Sequence, residues 1–336
     1  MDAASVTAAG HHAGQPAAHD AASLLDDLRD PAVRDLAWLL FGPPLVRAQP
    51  AGELAALFGD PADPADLSAT VDWLRAQDAN PEPLHRELAQ SRITRVGRLA
   101  ETLLAWYLRT GPGPRLVAAN VPLRRAGITL GECDFLVETR QGARLHWELA
   151  VKCYLHAGHE PHRPSARLAD YVGPNLQDRF DLKLMHLLDH QLPLSAREEF
   201  ASIGHAGPWT PQMLVRGWLF YGPDAMPGAV SVEAAQIDPA HGQGWWVTLA
   251  GWAAFAAAHA ERWRVLPRLE WLAPRRDGSA QTFAEVDALT ARSAERNEPL
   301  MVAGFVADGE GGWRERSRGF IVPDGWPALA RAFADQ

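Results

Sequence analysis

The sequence predicts an α/β protein in which helices flank a mixed sheet, and three observations predict it. Apolar residues fill 47% of 336 positions and charged residues 22%, an ordinary globular balance with no apolar run long enough for a membrane span. Short β-type runs (RLVAANVPL, TLGECDFLVET, RLHWELAVKCYL, QMLVRGWLFYG) are interleaved with runs of helical period. Only two cysteines are present, Cys133 and Cys153, too few for a disulfide framework or a cysteine-only zinc site. A chain of this length and composition must be held by a large apolar core. The first residues lack a basic leader followed by an apolar stretch, so no signal peptide and a cytoplasmic location are expected.

Along the chain, residues 1–25 read as a disordered tail and 26–90 as a helical preface. The preface holds PAVRDLAWLLF, ELAALFG, LSATVDWLRA and EPLHRELA between proline-rich turns. Asp30-Pro31 has the form of a cap followed by proline at the first helical position. In SRITRVGRLAETLLAWYLRTG, Val96, Leu99, Leu103, Trp106 and Tyr107 share one stripe and Gly111 stops the helix. Three strands follow, then NLQDRFDLKLMHLLDHQL as a helix and a fourth strand, so 91–222 runs helix, three strands, helix, strand. Residues 223–336 are a Trp-rich α/β extension with strands at RWRVLPRLEWLA, LMVAGFVA and ERSRGFIV and helices at GWAAFAAAHAE and TFAEVDALTARSAE.

Charge is unevenly placed. Residues 1–90 carry all of the net −9, whereas 91–131 hold seven arginines against Glu101. A local excess of this kind suits a polyanion, and a solvated helix face reads the same on charge alone. Of 32 basic residues only Lys152 and Lys183 are lysine, which marks them as positions where guanidinium is a poor substitute.

The chemistry-bearing residues lie on the second and third strands. Asp134 is followed fourteen residues later by Glu148, and Lys152 lies four residues beyond. Carboxylates on neighbouring strands suit Mg²⁺ or Mn²⁺, and a nearby ammonium can orient a water and stabilise charge at phosphorus. The side-chain period of two puts His146, Glu148, Ala150 and Lys152 on one face, with Trp147, Leu149 and Val151 on the other, toward the core. His146 reads as a structural histidine or as a substrate or metal contact. In the next helix Asn175 reads as a cap and Asp178 as first-turn acid. Asp178 and Asp181 with Lys183 also read as the lining of a cleft beside the third strand, in a group that includes His186 and Gln191.

These elements and residues resemble the PD-(D/E)XK, restriction-endonuclease-like phosphodiesterase fold, in which a helix bearing glutamate precedes strands carrying Asp and then Asp/Glu-x-Lys. Glu101 in GRLAETLL, Asp134 in GECD, and Glu148 and Lys152 in WELAVK match those positions. More narrowly, GRLAETLLAW, TLGECDFLVE, HWELAVKCYL and YVGPNLQDRFDLKLMHLLDHQLPLS resemble the bacterial domain-of-unknown-function family 1853, over roughly residues 30–330. The resemblance implies a restriction-endonuclease-like mixed sheet flanked by helices, with a helical N-terminal preface and a C-terminal α/β extension. It also implies a Mg²⁺-dependent (or Mn²⁺-dependent) nuclease acting on DNA or RNA. In that reading Asp134 and Glu148 are metal ligands and Glu101 is auxiliary. Lys152 positions the nucleophile, and Arg92, Arg95, Arg98 and Lys183 contact phosphates. His146, Asn175 and Asp178 line the cleft.

One departure is plain. The motif spaces acid and lysine two residues apart, about 6.6 Å along a strand, whereas Glu148 and Lys152 are about 13 Å apart at ~3.3 Å per residue. Either the acid sits one pleat upstream with Ala150 in its usual place, or a bulge closes the gap, or the site is inactive. The alternative functions are a nuclease-like scaffold that only binds nucleic acid or protein, and an interaction protein with no nucleic-acid role.

Overall fold

The computed structural model describes residues 18–59, 62–158, 165–205, 207–223, 233–259, 261–278 and 283–336. The preface comprises α1 (Ala18–Asp27), α2 (Pro31–Phe41), the two-residue strand β1 (Glu53–Leu54), α3 (Pro64–Ala79) and α4 (Glu82–Gln90). Then come α5 (Val96–Thr110), β2 (Arg115–Arg125), β3 (Ile128–Glu138), β4 (Arg144–His156), β5 (Tyr171–Val172), α6 (Phe180–His186), α7 (Glu198–Ser202) and β6 (Thr210–Tyr221). The C-terminal part adds β7 (Gly242–Thr248), α8 (Leu249–Ala258), β8 (Arg262–Val265), β9 (Arg276–Asp277), α9 (Val286–Arg296), β10 (Leu300–Ala307), β11 (Trp313–Val322) and α10 (Trp326–Ala334).

Among the described residues there is one mixed sheet of eleven strands, with the path β2-β3-β4-β6-β7-β11-β10-β8. Its centre is the parallel pair β4·β6, in register without a break from Leu145↔Thr210 to Leu155↔Phe220. The bulge that would bring Lys152 toward Glu148 is therefore absent on this side of β4. The Trp-rich segment continues the same sheet, because β7 pairs in parallel with β6 and β11 in parallel with β7. Trp252 of α8 stacks face to face on Trp245 and edge on Trp263, which accounts for part of the tryptophan enrichment as core packing.

The preface is a wedge rather than an appendage. The Asp30 side chain accepts from Ala32 N and Val33 N with Pro31 at the first turn, as the sequence predicts. Every residue of α2 from Val33 to Phe41 is buried, including Arg34 and Asp35. Asp35 takes both its oxygens to Arg275, while Arg318 donates to the carbonyls of Trp271, Leu272 and Ala273 and lies 4.3 Å over the Trp218 ring. Asp35, Arg275 and Arg318 persist at this depth because each is paired with an opposite charge or met by carbonyls.

Four expectations change. Of the tail expected over 1–25, residues 1–17 lie outside the described residues and the remainder is helical, with Leu24 and Leu28 buried in the cluster that contains α2. ELAALFG is not a helix. Glu53↔Gln212 and Leu54↔Met213 pair in parallel with β6, because a vacant strand edge satisfies more backbone than an isolated turn or two of helix can. Helix α6 begins at Phe180 instead of Asn175 and passes into a π turn (187–191) and a 3₁₀ turn (192–196). Of RWRVLPRLEWLA only Arg262–Val265 is strand, since Pro267 cannot donate to a ladder.

Candidate functional site

The antiparallel ladder between β3 and β4 runs from Glu138↔Arg144 to Phe135↔Trp147 and then stops. At the next step side chains replace the backbone. Leu149 N donates to Asp134 Oδ2 (2.9 Å), and Asp134 N donates to Glu148 Oε1 (3.3 Å). Beyond this point β3 continues with β2, and β4 with β6 and, at its far end, with β5, so β3 and β4 fork with the two carboxylates in the crotch. Facing Asp134 across β2 is Asn120, whose φ of 50° breaks the pleat there. The alternation of faces along β3 fails at this residue. Phe135 and Val137 join the core beneath α5, but Cys133 and Leu136 share the opposite cluster.

On β4 the predicted faces hold. Trp147 is buried and donates to Gln212 Oε1 (2.9 Å), while His146 and Glu148 point to the side covered by residues 187–196. Glu148 is fully buried. Its Oε1 lies 2.7 Å from His146 Nε2, and its Oε2 accepts from Gln191 Nε2 (2.7 Å). His146 Nδ1 lies 3.0 Å from Ser195 Oγ. The π turn is what aims Gln191 inward, a departure from regular helix often found at functional sites.

Burial pushes the carboxyls of both Asp134 and Glu148 well above the usual carboxylate range, and at Asp134 the neighbouring Glu148 charge adds to this. Glu101 contributes a smaller rise at Asp134 from α5, while accepting from Arg98 Nη1 (2.7 Å), which also donates to Asn120 Oδ1 (2.9 Å). Burial holds the His146 ring neutral, its pKa pushed down to about 4. Two acids confined beside a neutral imidazole and a neutral amide form a donor set in which, among the described residues, no protein cation balances the charge that full ionisation would bring. That combination fits a divalent cation, and Asp134 and Glu148 are the residues that would hold it.

Lys152 is not part of this group. It lies two pleats along β4, 28% exposed, with Nζ 3.8 Å from Asp178 Oδ2, and Tyr154 Oη donates to the same oxygen (3.4 Å). Burial lowers its pKa, Asp178 opposes that, and the charge of Lys183 reinforces it. The chain's only two lysines thus meet within electrostatic reach, from β4 and α6. Asp178 is a partner of Lys152 and not a helix cap, and Asn175 is an exposed turn residue; the cap position of α6 is Arg179, whose side chain makes no cap hydrogen bond. Arg92, Arg95 and Arg98 are exposed at the start of α5.

A family model described as Domain of unknown function (DUF1853) matches residues 34–322. The chain belongs to this family. No curated protein and no solved structure matches the chain. The span of the family match contains the whole fork, from Glu101 on α5 to Ser195, together with the wedge helix α2 from Arg34 onward and the sheet through β11. Among the described residues no helix is long and apolar enough to cross a membrane.

Sequence reasoning found Asp134, Glu148, Glu101, His146 and Gln191, and it missed Cys133 as a donor, Ser195 and Asn120. An Asn between β-branched and small residues of a strand is the one local signal available, since Asn tolerates the left-handed region. Ser195 carries no local signal, for it reaches His146 only through the turns after α6.

Proposed function

We propose that this chain is a divalent-cation-dependent phosphodiesterase acting on nucleic acid, with the PD-(D/E)XK-like residues of the fork as its centre. One observation carries the reading: half-buried Asp134 and fully buried Glu148, from strands that part company at that point, lie side by side with each carboxylate hydrogen-bonded to the other residue's strand. Bound there, Mg²⁺ or Mn²⁺ supplies charge stabilisation at the phosphate and a water of lowered pKa. Leu149 N and Gln191 orient the two carboxylates, Glu101 borders the pair from α5, and Arg92, Arg95 and Arg98 face the phosphate backbone. Cys133 and Cys153 are free thiols, in keeping with a reducing cytoplasm. The direct test is incubation with DNA and RNA in Mg²⁺, in Mn²⁺ and in EDTA. Cleavage is expected with either cation alone and not with chelator.

The position of Lys152 favours a second reading, a catalytically inactive nuclease-like scaffold that binds nucleic acid or protein. Salt-dependent binding without cleavage in any cation selects it. Under the first reading Lys152 contacts substrate at a distance from the carboxylates. Lys152→Ala is then expected to raise KM while kcat stays within about threefold, and a collapse of kcat would restore the nucleophile-positioning role. Arg92→Glu with Arg95→Glu should lower nucleic-acid affinity and reduce the slope of log K against log salt by about 2. Titrations at several salt concentrations check this, and an unchanged slope assigns those arginines to ordinary solvation.

A further inference from the structure

Each donor around the fork has one polar atom tied outward and another turned inward. His146 has Nδ1 against the Ser195 hydroxyl and Nε2 aimed at Glu148. Glu148 has Oε2 held by the Gln191 amide, which leaves Oε1 facing His146. Asp134 has Oδ2 held by Leu149 N. The break in alternation at Asp134 turns the preceding residue, Cys133, toward the same point. One donor atom each from Cys133, His146 and Glu148 lies within 4.8 Å of the other two, and all three residues are buried. Outer hydrogen bonds that fix a ring tautomer and a carboxylate orientation are how metal-binding histidines and glutamates are held. Thiolate, imidazole and carboxylate together form a borderline-soft donor set. Such a set suits four-coordinate Zn²⁺ or Co²⁺, whereas Mg²⁺ requires six oxygens and keeps most of its waters.

We propose that Cys133, His146 and Glu148 form a binding site for a borderline-soft transition-metal ion of the Zn²⁺ class, with a fourth position open beside Asp134. The proposal goes beyond the phosphodiesterase reading, which places Mg²⁺ or Mn²⁺ on Asp134 and Glu148: it adds a second class of ion at neighbouring donors, and rests on that reading only through the shared Glu148. Loading balances as an exchange of protons for metal, with no change of oxidation state. The Cys133 thiol releases one proton to solvent and a metal–sulfur bond forms. The hydrogen on His146 Nε2 gives way to a metal–nitrogen bond as the ring takes its proton on Nδ1, where Ser195 Oγ accepts it. The hydrogen bonds from His146 Nε2 and Asp134 N to Oε1 break, the proton held by the buried Glu148 carboxyl leaves to solvent, and Glu148 Oε1 turns to the ion.

Co²⁺ serves as the probe, titrated into protein stripped with EDTA and read by absorption. A thiolate-to-cobalt charge-transfer band that saturates at one equivalent is expected, with the intense visible bands of four-coordinate cobalt. Cys133→Ser should lose the band and bind Co²⁺ at least about tenfold more weakly, whereas Cys153→Ser should keep both. The melting curve of metal-free Cys133→Ser reports whether it folds; if it does not, the parent spectrum and Cys153→Ser decide. Co²⁺ binding without a charge-transfer band, or a band that survives in Cys133→Ser, overturns the thiolate site and leaves a carboxylate-held cation standing. A band at one equivalent from a protein that cleaves nothing supports the site and fails the phosphodiesterase reading. If the parent binds none of Co²⁺, Zn²⁺ and Mg²⁺, both fall.

Discussion

Asp134→Asn is expected to lower cation-dependent cleavage by at least ~100-fold and, without metal, to make the protein more stable than the parent at alkaline pH. The loss of activity follows from removing one of two adjoining carboxylates. The gain in stability follows from linkage. Asp134 and Glu148 have pKa values raised by burial, and Asp134 also by the neighbouring charge, so the folded state holds protons that the unfolded chain has already released. Stability from these groups is complete below the ordinary carboxylate range, near ~4, and is lost as pH rises toward their folded values. His146 acts oppositely. With its pKa lowered from 6.5 to about 4, it adds stability as pH rises through that interval and contributes no slope above it. From pH 6.5 to the ordinary thiol range near ~8.5 the carboxylate slope therefore stands alone within this cluster, and above it Cys133, whose pKa burial also raises, adds a slope of the same sign. It is at most ~1.4 kcal/mol per pH unit for each extra proton held. Asp134→Asn removes one titrating acid and the repulsion on the other, and should flatten the slope. Urea unfolding of both proteins from pH 6.5 upward in EDTA measures it, and parallel curves would mean that the two carboxyls do not share a buried fork. Saturating divalent cation should stabilise the parent most at the alkaline end, where both acids are ionised.

Gly217→Ala should be the most destabilising single methyl in the described sheet centre. Gly217 lies opposite Lys152 in the β4·β6 ladder with a φ of 153°, and a Cβ there would sit 1.8 Å from the Lys152 carbonyl oxygen. Both atoms belong to backbone in central strands, so neither can swing aside. Strain at such a φ costs about 1–3 kcal/mol and overpacking a similar amount. A loss on the order of 3–5 kcal/mol is a large part of a typical 5–15 kcal/mol margin. A melting temperature lowered by many degrees, or an insoluble product, is expected. Gly97→Ala provides the opposite sign. Gly97 lies within α5, a Cβ there meets nothing within 4 Å, and the change should stabilise by ~0.5–1 kcal/mol. If Gly217→Ala melts with the parent, the close approach of β4 and β6 at Lys152 is refuted.

The prediction for Gly217 belongs to the part of the molecule that no local pattern reveals. What was legible was local. The start of α2 at Asp30-Pro31, the buried stripe of α5 and its stop at Gly111 depend on residues within one or two turns, where capping chemistry and helical period act. The split of β4 into a core face and a site face depends only on pleat geometry, so Trp147 and Glu148 could be assigned before any partner was known. Where a segment's own preference was weak, as in ELAALFG, a strand edge far along the chain determined its form.

The amino-acid sequence by itself determined that this chain folds as mixed α/β, that Asp134 and Glu148 lie on neighbouring strands, and that Lys152 shares the face of Glu148. The tertiary structure alone decided how those residues meet. Period tells which face a side chain takes but not where two strands separate, and the β3–β4 ladder ends at Phe135↔Trp147. Across from Asp134, Asn120 adopts φ 50°, the alternation breaks, and Cys133 comes round to His146 and Glu148. The same unbroken register of β4 on β6 keeps Lys152 two pleats away, where Asp178 rather than a catalytic carboxylate becomes its partner. Register and strand divergence arise from hydrogen bonds between residues far apart in sequence, and such pairings are written in no local stretch of it.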